Sequence, residues 1–215
     1  MNEMRKGMTT QIMEALTSPR EGFKSIQESD LKRGALIVLS TAVLSGIASM
    51  SYMSRMPTDV LLSRLAGLNV DPGPIMQAMG TFAAVGGVIR VLVDWALLTL
   101  MMHALATLLA GKGSLRRFFA MTGFAFIPIT AQQLLRIVDA YTVQPMVLTD
   151  IFIANAQMTG VMKVIASMNV FTVFGVAALA LKGYAVSANY GSTVKKGVLV
   201  AVVPYLLFVV LDLII

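Results

Sequence analysis

The sequence predicts an all-α polytopic membrane protein, with five transmembrane helices behind a short amphipathic helical segment on the cytoplasmic side. Three observations predict it. First, 57% of the residues are hydrophobic and only 13% charged, against about 25% charged in a soluble domain; most of this surface does not meet water. Second, five apolar runs approach the ~20 residues that a helix needs to cross a hydrocarbon core of about 30 Å. Third, Lys and Arg collect in alternate connecting segments, as cytoplasmic loops do.

Residues 1–33 form the cytoplasmic segment, of mixed charge. The first apolar run begins only at Gly34. It is longer than a signal-peptide core of about 7–15 residues, so it reads as a retained anchor. Within the segment, "SPRE" (Ser18–Glu21) has the pattern of a capping box with proline at the first helical position. The helix it starts carries Phe23 and Ile26, three apart and on one face. An earlier helix is expected to carry Ile12, Met13 and Leu16. Two roles fit: a membrane-surface or partner-docking helix, or a helix packed under the cytoplasmic mouth of the bundle.

Residues 34–215 form the membrane domain. Its runs are Gly34–Met53, Ile75–Ala110, Phe118–Leu135, Val164–Leu181 and Gly197–Ile215. The second is about 54 Å long at 1.5 Å per residue, nearly twice the core. It is either a short outer helix joined to a span at Gly86–Gly87 or one long helix projecting from the outer face. "DPGP" (Asp71–Pro74) marks its start. Before it, "TDVLLSRLAGL" (Thr58–Leu68) can form an amphipathic helix on the outer surface.

Loop charge sets the orientation. Twelve Lys/Arg lie in the N-terminal segment, in the loop after the second run (Lys112, Arg116, Arg117) and after the fourth (Lys182, Lys195, Lys196). Four lie on the other side: Arg55, Arg64, Arg136 and Lys163. The positive-inside rule places the N-terminus in the cytoplasm and, with five spans, the C-terminus outside. The net charge of +6 then reflects loops facing an anionic membrane surface. Nucleic acid is not an expected partner, because no basic stretch is interleaved with aromatic residues.

Catalytic chemistry is not expected. The chain has no cysteine and one histidine, which removes thiolate nucleophiles, disulfides and two-histidine zinc sites. No Gly-x-Ser-x-Gly or glycine-rich phosphate loop is present; "GKGS" (Gly111–Ser114) reads as a basic turn. Sixteen methionines lack ligand spacing and read as packing. No cofactor or metal is expected.

The informative residues are ionisable groups inside the apolar runs. Measured from the cytoplasmic ends, Asp94 lies about 24 Å up the second span and Arg90 about 30 Å. Arg136 and Asp139 lie about 27–31 Å up the third, Lys163 about 27 Å up the fourth and Asp212 about 22 Å up the fifth. Gln132 and Gln133 share that level. Arg90 and Asp94 (i, i+4) share a helix face, as do Arg136 and Asp139 (i, i+3). Ions in hydrocarbon are costly and turn inward toward partners or water. The expectation is therefore a shared outer polar layer, either a binding site or a network tying the bundle together, with Asp94 reaching Arg90 and a base of another helix, Arg136 or Lys163. Interfacial snorkelling is the plain alternative for Arg136, Asp139 and Lys163. His103 lies on another face, near the cytoplasmic end. It reads as a packing residue hydrogen-bonded across the bundle, or else as a proton-linked group.

Three features together resemble the Yip family, the Ypt/Rab-interacting membrane proteins, in a short prokaryote-like form. These are "SPREGFKSI" before the first span, with Pro19 and Phe23; the loop Gly111–Arg117 in "HALATLLAGKGSLRRFFAMTGFAFIP"; and Pro128 within the third span. The resemblance implies a five-span fold with the N-terminus inside. Eukaryotic members have a long hydrophilic N-terminal region and act with small GTPases in vesicle traffic. That role is not carried over to a chain with about 33 residues there and no Asp-Leu-Tyr-Gly-Pro-like stretch.

The expected function is that of a non-enzymatic multi-pass protein of the cell membrane with a membrane-organising or scaffold role. Small-residue runs such as Ser45/Ser49 and Gly80/Ala84 would permit close helix packing. A small solute or ion transporter using the outer charge layer is the alternative. Expected partners are membrane lipids and a second copy or another membrane protein. The topology is directly testable: a Gly113→Cys substitution in this cysteine-free chain should react with an impermeant maleimide only from the cytoplasmic side. Labelling from outside intact cells would invert the orientation.

Overall fold

A computed structural model describes residues 7–55, 72–144 and 172–214. Every regular element among them is helical. The order is α1 (Met8–Thr17), α2 (Pro19–Ser25), a 3-10 turn (Glu28–Asp30), α3 (Leu31–Ser54), α4 (Pro72–Leu109), α5 (Leu115–Phe124), α6 (Ile127–Thr142), α7 (Val173–Tyr190) and α8 (Val194–Ile214). Three stretches of the described chain are long and apolar enough to cross a membrane: Glu28–Ser54, Gly73–Leu109 and Leu115–Thr142.

The N-terminal helices form as expected, but not by the expected cap. Pro19 stands at the start of α2, while the Ser18 side chain makes no capping hydrogen bond. Residues before proline avoid the helical region, and Ser18 sits at φ −139°, ψ 64°. There its backbone serves both helices: its N–H donates to Glu14 O (2.9 Å), and its carbonyl accepts from Glu21 and Gly22. The Glu21 carboxylate, free of any capping box, pairs with Lys24 at 3.1 Å. Phe23 and Ile26 are fully buried and join the main core. Thus α2 packs under the bundle, while α1 leaves Met13 and Leu16 exposed.

A buried carboxylate pins this layer to α3. Asp30 is 1% exposed and accepts from Gln11 Nε2 (3.1 Å) and the Gln27 N–H (3.0 Å). Arg33 bridges it to Gln11, at 3.1 and 2.8 Å. A buried charge needs this degree of pairing, since leaving it uncompensated is costly.

The long second run is one unbroken helix. α4 passes through Gly86 and Gly87 without interruption and is about 57 Å long. The third run, expected as one span, is two helices. Pro128 lies in the first turn of α6, and a proline deeper in a helix would remove an N–H and clash with the carbonyl four residues back. Ala125 and Phe126 therefore form a turn between α5 and α6. α7 ends later than expected, at Tyr190, where Gly191 adopts φ +64°, the left-handed C-terminal conformation that glycine tolerates. Residues 164–171 of the expected fourth span, the amphipathic stretch 58–68 and Lys163 lie outside the described residues, as does the Asp212 side chain.

The helices close a ring. α3 packs on α4, α5 and α6; α7 packs on α5, α6 and α8; α8 returns to α4. Backbones approach closely at Gly34 and Gly123, where α3 crosses α5. A Cβ built on Gly123 would lie 2.6 Å from the Gly34 carbonyl. The expected small-residue contact between α3 and α4 is shifted: Gly46 meets Ala84 and Gly87 meets Ser45, while a methyl group on Gly80 would meet nothing within 4 Å among the described residues. Gly123→Ala should therefore lower stability by about 1–3 kcal/mol through overpacking. Gly80→Ala should be neutral or stabilising by up to about 1 kcal/mol, the helix cost of glycine. Thermal unfolding of both variants in detergent checks the contrast.

Candidate functional site

The ring holds a partly open cavity of about 280 Å³. Each of its helical walls contributes polar groups: Ser45 and Ser49 from α3, Arg90 and Asp94 from α4, Gln133 and Arg136 from α6, Lys182 from α7 and Tyr205 from α8. Fully buried Met102, Phe118, Phe124 and Val186 fill the bundle between this cavity and the end that carries α2.

Lys182 is the residue that sequence reasoning misplaces. Expected in a cytoplasmic loop, it lies inside α7 and is 4% exposed. Its ammonium donates to the Tyr205 hydroxyl at 2.6 Å. It also sits 5.0 and 5.3 Å from the ring centroids of Phe126 and Tyr205, within cation–π range. A signal for this placement is present in the chain. Ala178, Leu181, Ala185 and Val186 continue a buried helical face past the lysine, and Gly191 supplies the stop.

Arg90 and Asp94 do approach each other, but weakly. Their closest atoms are 3.8 Å apart and both side chains are about half exposed, at 51% and 52%. Among the described residues Asp94 has no ion pair with another helix, which corrects the expectation that it reaches Arg136. Nor do Arg136 and Asp139 pair. Tyr52 of α3 takes each of them separately: its hydroxyl donates to Asp139 Oδ2 at 2.6 Å, and its ring lies 5.6 Å from the Arg136 guanidinium carbon. Arg136 donates instead to Gln133 Oε1 at 3.1 Å. Gln132 is buried beside them, and its Oε1 has no hydrogen-bond partner among the described residues.

His103 is remote from this cavity. Its Nδ1 is hydrogen-bonded to the Tyr190 hydroxyl, and Phe118 packs edge-on to the same tyrosine, with ring centroids 5.4 Å apart.

The basic loop has a structural task. Arg117 donates from Nε to Ile26 O (2.8 Å) and from Nη2 to Lys24 O (2.9 Å), filling carbonyls left open at the end of α2. Ser114 bonds Glu28 through its hydroxyl and accepts from Asn189 through its carbonyl. Lys112 and Arg116 remain exposed. A Cβ on Gly113 would lie 2.6 Å from the Tyr190 ring, so Lys112→Cys is the better labelling position for topology.

These distances set the expected energetics of the Arg90–Asp94 pair. A half-exposed ion pair contributes about 0–1 kcal/mol, against about 3–5 kcal/mol for breaking a buried one. Asp94→Asn should thus leave the stability in detergent within about 1 kcal/mol of wild type; a larger loss would mean that Asp94 is coupled to a second base.

A family model described as the Yip1 domain matches residues 13–215. An uncharacterized protein of Methanocaldococcus jannaschii is 28% identical over 135 residues, covering 60% of this chain and 88% of that protein. No solved structure matches the chain. With nearly its whole length matched by the domain, the chain belongs to the Yip1-domain family of membrane proteins.

Proposed function

We propose that this chain is a non-enzymatic, five-span protein of the cell membrane that organises its surroundings through helix and partner contacts. Residues 1–33 lie in the cytoplasm, residues 34–215 form the membrane domain, and the C-terminus is outside. Moving Lys182 into the bundle still leaves eleven Lys/Arg on the cytoplasmic side against four, which supports that orientation.

The observation that carries the scaffold reading is the way polar side chains are spent within the bundle. Thr41 meets Thr130 at 2.6 Å, Trp95 donates to Thr122 at 3.1 Å, and Thr99 meets Thr122 at 2.9 Å. Tyr52 holds Asp139 and Lys182 holds Tyr205. Such cross-helix bonds tie the helices of the ring to one another, and of the pairs named only Lys182 and Tyr205 also line the cavity. Outside, Leu36, Leu39, Val43, Ile47 and Met50 make an exposed apolar stripe along α3, available to lipid or to a neighbouring helix. Transport is the second reading, favoured by the central cavity.

One reconstitution separates them. At low protein-to-lipid ratio, Leu39→Cys and Val43→Cys variants should cross-link into discrete oligomers, while vesicles stay sealed to chloride, phosphate and small dyes. Dispersed monomers that carry solute flux would reverse the reading in favour of transport.

A further inference from the structure

We propose that the central cavity is a binding site for a single oxyanion group, phosphate above all, carried either on a lipid headgroup or free in solution. The charge of the lining points there. Arg90, Arg136 and Lys182 face the cavity with Asp94 as the one carboxylate among its described lining residues. That ratio disfavours a metal or organic cation. Asp94 is engaged by Arg90. Among the described residues neither Arg136 nor Lys182 has an ion pair within 4 Å; their hydrogen-bond partners are the neutral Gln133 and Tyr205, and Lys182 shares the field of Asp94 with Arg90.

A cation enclosed by apolar helices is costly without a full counter-charge; Lys182 is almost wholly enclosed, and the one carboxylate of the lining, Asp94, is shared between it and Arg90. Its ammonium has three donors, of which Tyr205 takes one. The guanidinium of Arg136 has five, in a planar fork matched to phosphate or carboxylate oxygens, and Gln133 takes one. The hydroxyls of Ser45 and Ser49 on the facing wall can donate to the remaining oxygens. The volume of about 280 Å³ lies just under the ~300–1,000 Å³ of typical small-molecule sites. It suits one phosphate with the first atoms of an ester, not a nucleotide. The apolar core closes the end toward α2, so the anion enters from the opposite end or between helices. The site does not depend on the scaffold reading; a copy that never associates would still carry it.

The test uses the full chain in nanodiscs and reads the unfolding midpoint together with bound lipid by native mass spectrometry. In one arm, phosphatidylcholine discs are titrated with sodium phosphate against sodium chloride at equal ionic strength. In the other, phosphatidylglycerol is added to the phosphatidylcholine. At least one arm should give a saturable stabilisation. Response to phosphate alone identifies a soluble anion; response to phosphatidylglycerol alone identifies a headgroup. Lys182→Gln and Arg136→Gln should each weaken binding about tenfold or more, the scale of losing a charge-assisted hydrogen bond. The exposed Lys196→Gln should leave it unchanged, and Lys182→Arg should retain it. If Lys182→Gln does not fold, Arg136→Gln at its half-buried position carries the test. A flat response in both arms overturns the proposal, as does binding that survives loss of Arg136 and of Lys182.

Discussion

The close contact of α3 with α5 is the constraint on which the rest depends. At Gly34 and Gly123 backbone meets backbone, with no room for a methyl group on either side. Without a hydrophobic drive between helices in lipid, association rests on such van der Waals contact. With α5 held there, Phe118, Met121 and Phe124 are driven into the core. Arg117 is brought to the end of α2. The turn before Pro128 then redirects the chain, so that α6 presents Gln133 and Arg136 to the cavity.

Two polar layers result, and they differ in how their charges are satisfied. Near α2, Asp30 is surrounded by Gln11, Gln27 and Arg33, and Glu28, Ser114 and Asn189 tie the basic loop to its neighbours. Here Asp30 and Arg117 meet a partner of opposite sign or backbone dipoles, and the layer acts as a clasp. Around the cavity the satisfaction is incomplete. Lys182 relies on a hydroxyl and two ring faces, and Arg136 on an amide and a ring face. The first arrangement is what stability asks of buried ions. The second leaves donors of Lys182 and Arg136 open toward the cavity.

Three tyrosines link these layers to the packing. Tyr52, Tyr190 and Tyr205 each carry an apolar ring to the bundle and a hydroxyl to a charged or titratable partner. An amphipathic ring of this kind suits a position with hydrocarbon on one side and a polar group on the other. Tyr52 also explains why Arg136 and Asp139 stay apart although they share a helix face: a ring from α3 satisfies both at once.

What the sequence by itself determined is local. Apolar length set the helical class and three membrane-long stretches; Pro19 marked the start of α2, and Phe23 with Ile26 marked its buried face. Each follows from covalent geometry or from helical period, which neighbours in sequence settle among themselves. The tertiary structure decided the rest. Pro128 divides the third run at Ala125–Phe126, but where the two halves then pack on α3 and α7 was decided by the bundle. Lys182 moved from loop to interior, although a charge after an apolar run is the usual mark of a membrane boundary. Its place depends on Tyr205, 23 residues away, and on Phe126, in the turn between α5 and α6. The cost of burying an ammonium is set by the groups that surround it, and no window of sequence contains them all.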